Sequence, residues 1–292
     1  MSSDRTSGRL GGVIALEELA TSDRFVLEHV CRAQAQPVYL GDHTALCRIL
    51  GRYKFYVDTR DQGFGSNVLL DGFWEMWLTI AIARHLRPGM VAIDIGANFG
   101  YYSLLMADLV GPEGALVAVE PNRHVTPKLR ASLALNGFAS RSRVIEAAAA
   151  ATNEGFAHLY ATVTEPKNAT IVSPEMIVDP AIGAVTTTPN WTADAIAREF
   201  GRVDFIKVDA EGAEEDIIKG LRPVIVRHNP SLVLEFNAAR YVDARRFLAE
   251  VMSCYQELRL VDHSGGLVAV SAETVLTEKV GEDWLLFFQG AL

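Results

Sequence analysis

Apolar residues recur at helical spacing from Leu16 to Ala35, where Leu16, Leu19, Phe25, Leu27 and Val30 mark one face and Pro37 follows the end. The rhythm then changes. "TALCRILGRYKFYVDTRD" (44–61) gives two short β-like runs around Gly51-Arg52, which predicts a hairpin. "GFWEMWLTIAIARHL" (72–86) is apolar over a helix length and stops at Arg87-Pro88-Gly89. From residue 90, strand-length apolar runs alternate with helical stretches. "MVAIDIG", "GALVAVEP" (114–121), "RVIEAAA" (143–149), "VDFIKVDAEG" (203–212) and "PSLVLEFN" (230–237) read as strands. "YYSLLMADLV", "HVTPKLRASLALNG", "AEEDIIKGL" and "ARYVDARRFLAEVMSCYQ" (239–256) read as helices. "LRLVD" and "WLLFFQ" add two last strands, one of them antiparallel.

This alternation predicts an α/β fold: a seven-stranded, mostly parallel sheet with helices on both faces. Residues 1–12 are expected to be disordered, 13–70 to form a small N-terminal α+β extension of helix plus hairpin, and 71–292 to form the main domain. Residues 150–200 fit the alternation poorly. "NEGFAHLYATVT" reads as a strand and "TPNWTADAIAREF" as a helix starting near Thr192, with an insertion near 160–190 expected to lie over the site.

Composition narrows the classes. The 292 residues are 49% hydrophobic and 22% charged, enough for a large core and too apolar for disorder. With 27 basic and 36 acidic residues the net charge is −9, which argues against nucleic acid as the main partner. No run of about 18 apolar residues is present, so no membrane span is expected. Cys31, Cys47 and Cys254 are far apart, without metal spacing, and predict buried thiols in a reducing compartment. The polar N-terminus lacks a signal-like apolar core, so the expected location is cytoplasmic. The sequons at Asn168 and Asn190 are then chance matches. A homodimer is compatible with the pattern.

In parallel sheets of this kind the ligand sits at the carboxyl ends of the strands. Here those ends carry Asp94, Glu120, Glu146, Asp209 with Glu211, and Glu235. A dinucleotide site wants GxGxxG directly after the first strand. The order here is Asp94-Ile-Gly96-Ala97-Asn98-Phe-Gly100, with the acid first and the glycines four apart. A carboxylate repels a pyrophosphate but suits an amine or sulfonium, and glycine lets backbone approach closely. Glu120 follows Asp94 by 26 residues, near the spacing of an acid that grips a ribose diol. Together the two acids predict a cationic nucleoside, S-adenosylmethionine.

"IDIGANFGYYS", "AVEPN", "LNG" and "FIKVDAEGAEEDIIKG", in this order, resemble the FkbM family of S-adenosylmethionine-dependent methyltransferases. The resemblance covers roughly 90–237, with a weaker echo in "VDTRDQGF" and "GFWEMW". It implies a class I Rossmann-like methyltransferase fold and O-methylation of a sugar, glycolipid or polyketide-type small molecule. Arg123 stands where the family often has a proline after "EPN", a departure that bears on the adenosine rim.

The cofactor residues expected on this reading are Asp94, Gly96, Ala97, Asn98, Gly100, Tyr102, Glu120, Pro121 and Asn122, with Glu146 and Ala147 near the adenine. Asp209 and Glu211 are the candidates for chemistry: two apart on an extended chain, they point to one side, and their repulsion should raise one pKa. Glu75 is placed at the cofactor's methionine end or the acceptor, and Asn168 and Glu235 at the acceptor. A divalent cation on Asp209, Glu211 and Glu235 is the alternative use of these acids rather than the expectation. Trp74, Trp77 and Tyr101 read as core, and His85, His124 and His228 as isolated. Two rival functions stay open: an NAD(P)-type Rossmann oxidoreductase or epimerase, and a methyltransferase-like binding module without catalysis.

Overall fold

The computed structural model describes residues 12–162, 169–172, 175 and 177–289, so most of the segment expected to be disordered lies outside the described residues. The single helix expected over 16–35 is two: α1 (Leu16–Thr21) and α2 (Arg24–Gln34). Asp23 makes the break, because its carboxylate accepts the backbone N–H groups of Phe25 and Val26 and so starts a new helix. Both pieces bury the same apolar side (Leu19, Leu27, Cys31), which is why the periodicity runs through the break.

Three antiparallel strands follow: β1 (Val38–Gly41), β2 (Thr44–Ile49) and β3 (Tyr53–Asp58). The β2–β3 hairpin turns at Gly51 as expected, whereas β1 is too short and too exposed to show a period in sequence. Next come α3 (Phe64–Asp71) and α4 (Met76–His85). The helix expected from residue 72 starts later because Gly72, at φ +71°, ends α3 and Glu75, at φ +35°, is left-handed. A seam at residue 70 therefore falls in the last turn of α3.

The main sheet begins with β4 (Val91–Ile95), α5 (Tyr101–Leu109), β5 (Ala115–Val119), α6 (Thr126–Leu135) and β6 (Ser142–Ile145). The chain then leaves it through β7 (Ala148–Ala149), β8 (Phe156–Thr162), β9 (Thr170–Val172) and β10 (Gly183–Trp191), which form a separate four-stranded sheet in the order β7-β10-β8-β9. The inserted unit is thus broader than 160–190, and β10 ends at Trp191, just before the helix expected to start near Thr192. Helix α7 (Asp194–Phe200) returns the chain to β11 (Phe205–Val208), α8 (Glu214–His228), β12 (Ser231–Phe236), α9 (Ala244–Met252), β13 (Glu257–Val261), β14 (Leu267–Ala269), α10 (Ala272–Thr277) and β15 (Trp284–Gln289).

The sheet order is β14-β13-β15-β12-β11-β4-β5-β6. Strands β12, β11, β4, β5 and β6 run parallel, and β15 enters antiparallel between β12 and β13. This is the class I Rossmann-like arrangement, with eight strands instead of seven because the Gly265-Gly266 turn folds back the short β14. Every residue of β4, β5 and β11 is buried, since helices cover both faces, and that explains their continuous apolar runs.

Alternate strand residues feed two cores. Ala92, Leu116 and Ala118 pack with α4, α5, α6 and the N-terminal segment, and Ile93, Ile95, Val117 and Val119 pack with α8 and α9. The N-terminal strands therefore share one apolar core with the main sheet. Helix α6 also closes the β3 edge: Asn136 accepts the Lys54 N–H and donates to the Lys54 carbonyl, and Ser132 accepts the Tyr56 N–H. Among the described residues no helix is long and apolar enough to cross a membrane.

The order of strands reverses between β4 and β11, and the crevice beyond their carboxyl ends opens there. Gly96, at φ +76°, lets the two strand exits touch: a Cβ at this position would lie 1.8 Å from the Asp209 carbonyl oxygen. Gly137 has a similar φ of +77° with nothing within 4 Å of a built Cβ. Gly137→Ala should lower unfolding free energy by about 1 kcal/mol, the left-handed term alone, and Gly96→Ala by at least about 2 kcal/mol more. Urea denaturation of both variants measures the difference, and equal losses would refute the close approach.

Candidate active site

A cavity of about 1180 Å³, counted out to its open mouth, occupies that crevice. Its floor is made by Ile95, Gly96, Ala97 and Asn98 after β4, by Val119, Glu120 and Pro121 after β5, and by Lys207, Asp209 and Glu235 from β11 and β12. Phe64, Trp74, Glu75, Tyr101 and Tyr102 also line it, and the inserted segment supplies Ala148, Ala149, Leu159, Ala169 and Ile171.

Glu120 is buried at the end of β5, and each carboxylate oxygen accepts one backbone N–H, from Asn98 and from Asn122, both at 2.8 Å. Asn98 reaches it from a left-handed turn at φ +52°. Burial pushes the Glu120 carboxyl up to about 7, against the pull of those two N–H groups. A carboxylate has about four acceptor positions, so two remain for a ligand with paired hydroxyls.

Lys207 is the charged centre of the floor. It is buried, its Nζ lies 3.0 Å from Asp209 Oδ2 and 3.7 Å from Asp94 Oδ1, and it sits 4.9 Å from the centre of the Tyr102 ring. Burial disfavours its charge, but Asp209 and Asp94 outweigh burial and raise its pKa. Asp209 in turn is hydrogen-bonded to Glu235. Burial and the Asp209 charge push Glu235 up to about 10, so Glu235 carries the proton of this pair, whereas Lys207 overrides burial to hold Asp209 below the usual carboxylate range. Arg240 stands at the mouth, 3.2 Å from Glu235, 3.3 Å from Glu211 and 3.1 Å from Asp283. Glu75 is half-buried beside Tyr102, whose hydroxyl donates to Glu75 Oε2 at 2.7 Å, and desolvation raises its pKa.

Of the residues singled out in sequence, Gly96, Ala97, Asn98, Tyr102, Glu120, Pro121, Asp209, Glu211, Glu75 and Glu235 line this cavity. Others stand elsewhere. Asp94 shares the strand face of Ala92, so it turns toward α5, accepts from the Ser103 hydroxyl at 2.6 Å, and lies beneath the cavity behind Lys207. Gly100 is the N-cap of α5, tight against Leu129. Asn122 is buried in the turn after β5, where its side chain accepts the His124 N–H. Glu146 accepts from the Thr126 hydroxyl, and Ala147 is buried beside it, so Ala148 and Ala149 take the lining role expected of them. Asn168 lies outside the described residues.

The acid pair also differs from expectation. The chain is no longer extended at Glu211, which sits at φ +53°, and the carboxyl sharing a proton with Asp209 is Glu235. Glu214 is fully buried: it accepts from Ala210 N, Gly212 N and the Tyr241 hydroxyl, and so fixes the loop beneath Asp209. Sequence reasoning passed over Lys207, although a lysine inside the apolar run "FIKVD" was the available signal. Phe64, Leu159 and Ile171 gave no signal, because apolar residues in those elements read as core. Among the described residues no three His, Cys, Asp or Glu side chains are grouped to hold a metal ion, and Lys207 and Arg240 already face Asp209 and Glu235.

Comparison with known proteins adds the family. The methyltransferase FkbM domain profile matches residues 94–258. The chain is 35% identical over 94 residues to protein-L-isoaspartate O-methyltransferase 1 of Arabidopsis thaliana, covering 32% of this chain and 38% of that protein, so it spans well under half of that relative. Among solved structures it is similar to methyltransferase FkbM from Methylobacillus flagellatus (17% identity, 73% of this chain, 54% of that one, TM-score 0.40). It is also similar to the O-methyltransferase TomG of Streptomyces achromogenes, solved with S-adenosylmethionine (15% identity, 80% and 88% coverage, TM-score 0.41).

The Glu235 proton has a measurable sign. An acid whose pKa the fold raises supports the fold fully below its unfolded value near 4.5, and that support is lost as pH rises toward about 10. Glu235→Gln cannot ionise and should escape the loss. Its stability relative to wild type should therefore rise by at least about 1.4 kcal/mol, the worth of one pKa unit, between about pH 5 and pH 9 in urea titrations. Parallel curves for the two proteins would contradict a protonated Glu235.

Proposed function

The chain belongs to the FkbM methyltransferase family, and from that premise we propose that its cavity takes S-adenosylmethionine and serves O-methylation of a small molecule of sugar, glycolipid or polyketide type. Glu120 carries this reading. Its carboxylate stands at the end of the strand after the Gly96 turn, held by two backbone N–H groups with acceptor capacity left over, as a free ribose diol requires. The carboxylates of Glu120 and Asp209 in the lining suit a cationic nucleoside and would repel a pyrophosphate, so no observation favours the oxidoreductase reading. The name of the plant relative, an O-methyltransferase, supports oxygen as the acceptor atom.

When bound, the cofactor supplies a methyl group already activated by the sulfonium charge. The protein must align the acceptor and deal with its proton. Asp209, kept anionic by Lys207 and by the Glu235 proton, can accept a hydrogen bond from the acceptor hydroxyl and orient it. Its depressed pKa makes it a weak base, so alignment is the larger contribution. Positioning can supply about 7–11 kcal/mol, against about 10²–10⁴-fold for a general base. Phe64, Trp74, Tyr102, Leu159 and Ile171 give the cavity apolar lining that leaves less surface for water to hydrogen-bond.

Calorimetric titration with S-adenosylmethionine tests the reading. Saturable binding is expected, weakened about tenfold or more in Glu120→Ala as charge-assisted hydrogen bonds to the diol are lost. Because only the ionised Glu120 offers all its acceptor positions, affinity should rise through a midpoint near 7 as pH increases. Saturable binding of NAD in place of S-adenosylmethionine would overturn the proposal.

A further inference from the structure

The three-stranded N-terminal sheet has one closed edge and one open edge. Helix α6 closes the β3 edge, where Asn136 and Ser132 take up backbone groups of Lys54 and Tyr56. Strand β1 forms the other edge, and among the described residues no further strand pairs with it. An open edge offers free N–H and C=O groups, so soluble proteins commonly guard it with charge. The centre of β1 carries none. Val38, Tyr39 and Leu40 are 56%, 64% and 52% exposed, and alternation puts them on both faces of the strand. Charges stand only at the two ends, and they are opposite. Arg48 of β2 lies beside the start of β1, where its N–H meets the Ala35 carbonyl, and its β3 neighbour is Lys54. Among the described residues the ion pairs of this region, Arg52 with Asp108 and Arg60 with Asp58, leave Arg48 and Lys54 unpaired. Asp42 follows the other end of β1 and is exposed.

A strand that is apolar in the middle, basic beside one end and acidic at the other is complementary to its own reverse. We infer that two copies of this chain join through β1, antiparallel about a two-fold axis at Tyr39, into one continuous sheet with three strands from each copy. Val38 of one copy then stands opposite Leu40 of the other. This extends the row Val38–Leu46–Tyr56 that the strand register already sets on the face away from the core. Tyr39 meets its own copy on the opposite face. The start of one strand meets the end of the other, so Arg48 reaches the second copy's Asp42, twice by symmetry. Pro37, which has no N–H, and the register shift before Gly41 confine the pairing to the three apolar residues. With exposed Gln36, Pro37, Asp42 and His43 at the rim, the two copies cover on the order of 1,000 Å² in all, the lower end for specific association. A foreign strand would have to bring the same charges in reversed order, which a second copy does by construction.

Sedimentation equilibrium of the full chain over a wide range of concentration tests the pairing. Wild type should run as a dimer at high concentration and dissociate on dilution. Tyr39→Lys sets two ammonium groups against each other on the axis and should raise the dissociation constant about tenfold or more. Because Tyr39 is exposed, the variant should keep the circular dichroism of wild type. Asp42→Arg and Arg48→Asp should each weaken the dimer about tenfold, and the double variant should return to within about threefold of wild type. Damage to the fold would not be repaired by exchanging the two charges. Tyr39→Cys places two thiols with Cα atoms about 4.5–5.5 Å apart, within disulfide reach, so oxidation should cross-link it into a covalent dimer. Wild type, whose Cys31 and Cys47 are buried, should cross-link far less. A monomer at every concentration would overturn the inference, as would a dimer that Tyr39→Lys leaves unchanged. So would a double charge exchange that binds no more tightly than either single variant, or a Tyr39→Cys dimer that oxidation does not cross-link.

Discussion

Lys207 sits in the middle of the sheet with its side chain out of water, and an ammonium there persists only among anions. Its two acids come from different places: Asp94 from the neighbouring strand β4, and Asp209 from the exit of its own strand. The charge set therefore ties together the two strands that flank the reversal of strand order. Leaving one member of such a set unpaired removes on the order of 3–5 kcal/mol. The rest of the floor follows from this tie. Asp209 is anionic because of it, Glu235 keeps its proton because Asp209 is anionic, and Arg240 meets Glu235 and Glu211 at the mouth.

The charges are also layered by depth. Asp94 and Lys207 are wholly buried, Glu120 and Glu75 lie one step outward, and Glu211 and Arg240 reach solvent. Interactions at the inner end are little screened by salt, whereas those at the mouth are weakened by it. A ligand drawn in by the outer acids would meet progressively stronger and less forgiving contacts.

Much of this could be read from the sequence, for physical reasons that differ by element. The parallel strands were legible because burial on both faces leaves uninterrupted apolar runs, as in Val91–Ile95 and Ala115–Val119. Glu120 was legible because it closes such a run, so an acid at the strand end must face the crevice. Asp94 was misjudged for a related reason. It lies one residue inside the end of β4, and the alternation of side chains turned it to the face that packs on α5. Glu235 was placed at the acceptor, but its proton-sharing with Asp209 depends on strands β11 and β12 lying side by side, which no local pattern encodes. The same holds for the inserted sheet, whose pairing of Leu159 with Ile171 joins segments separated by undescribed residues. The break at Asp23 had a local signal, a capping acid within a helical pattern.

The contact between Gly96 and the Asp209 carbonyl bears on how such a protein can diversify. Backbone against backbone leaves no room for side-chain variation, so this part of the floor cannot be adjusted by single substitutions. The inserted sheet also lines the cavity and carries exposed residues such as Ile171, where a change of size disturbs little else. Heritable variation in the shape of the cavity would then accumulate in exposed positions of the inserted sheet, such as Ile171, while the floor stays constant.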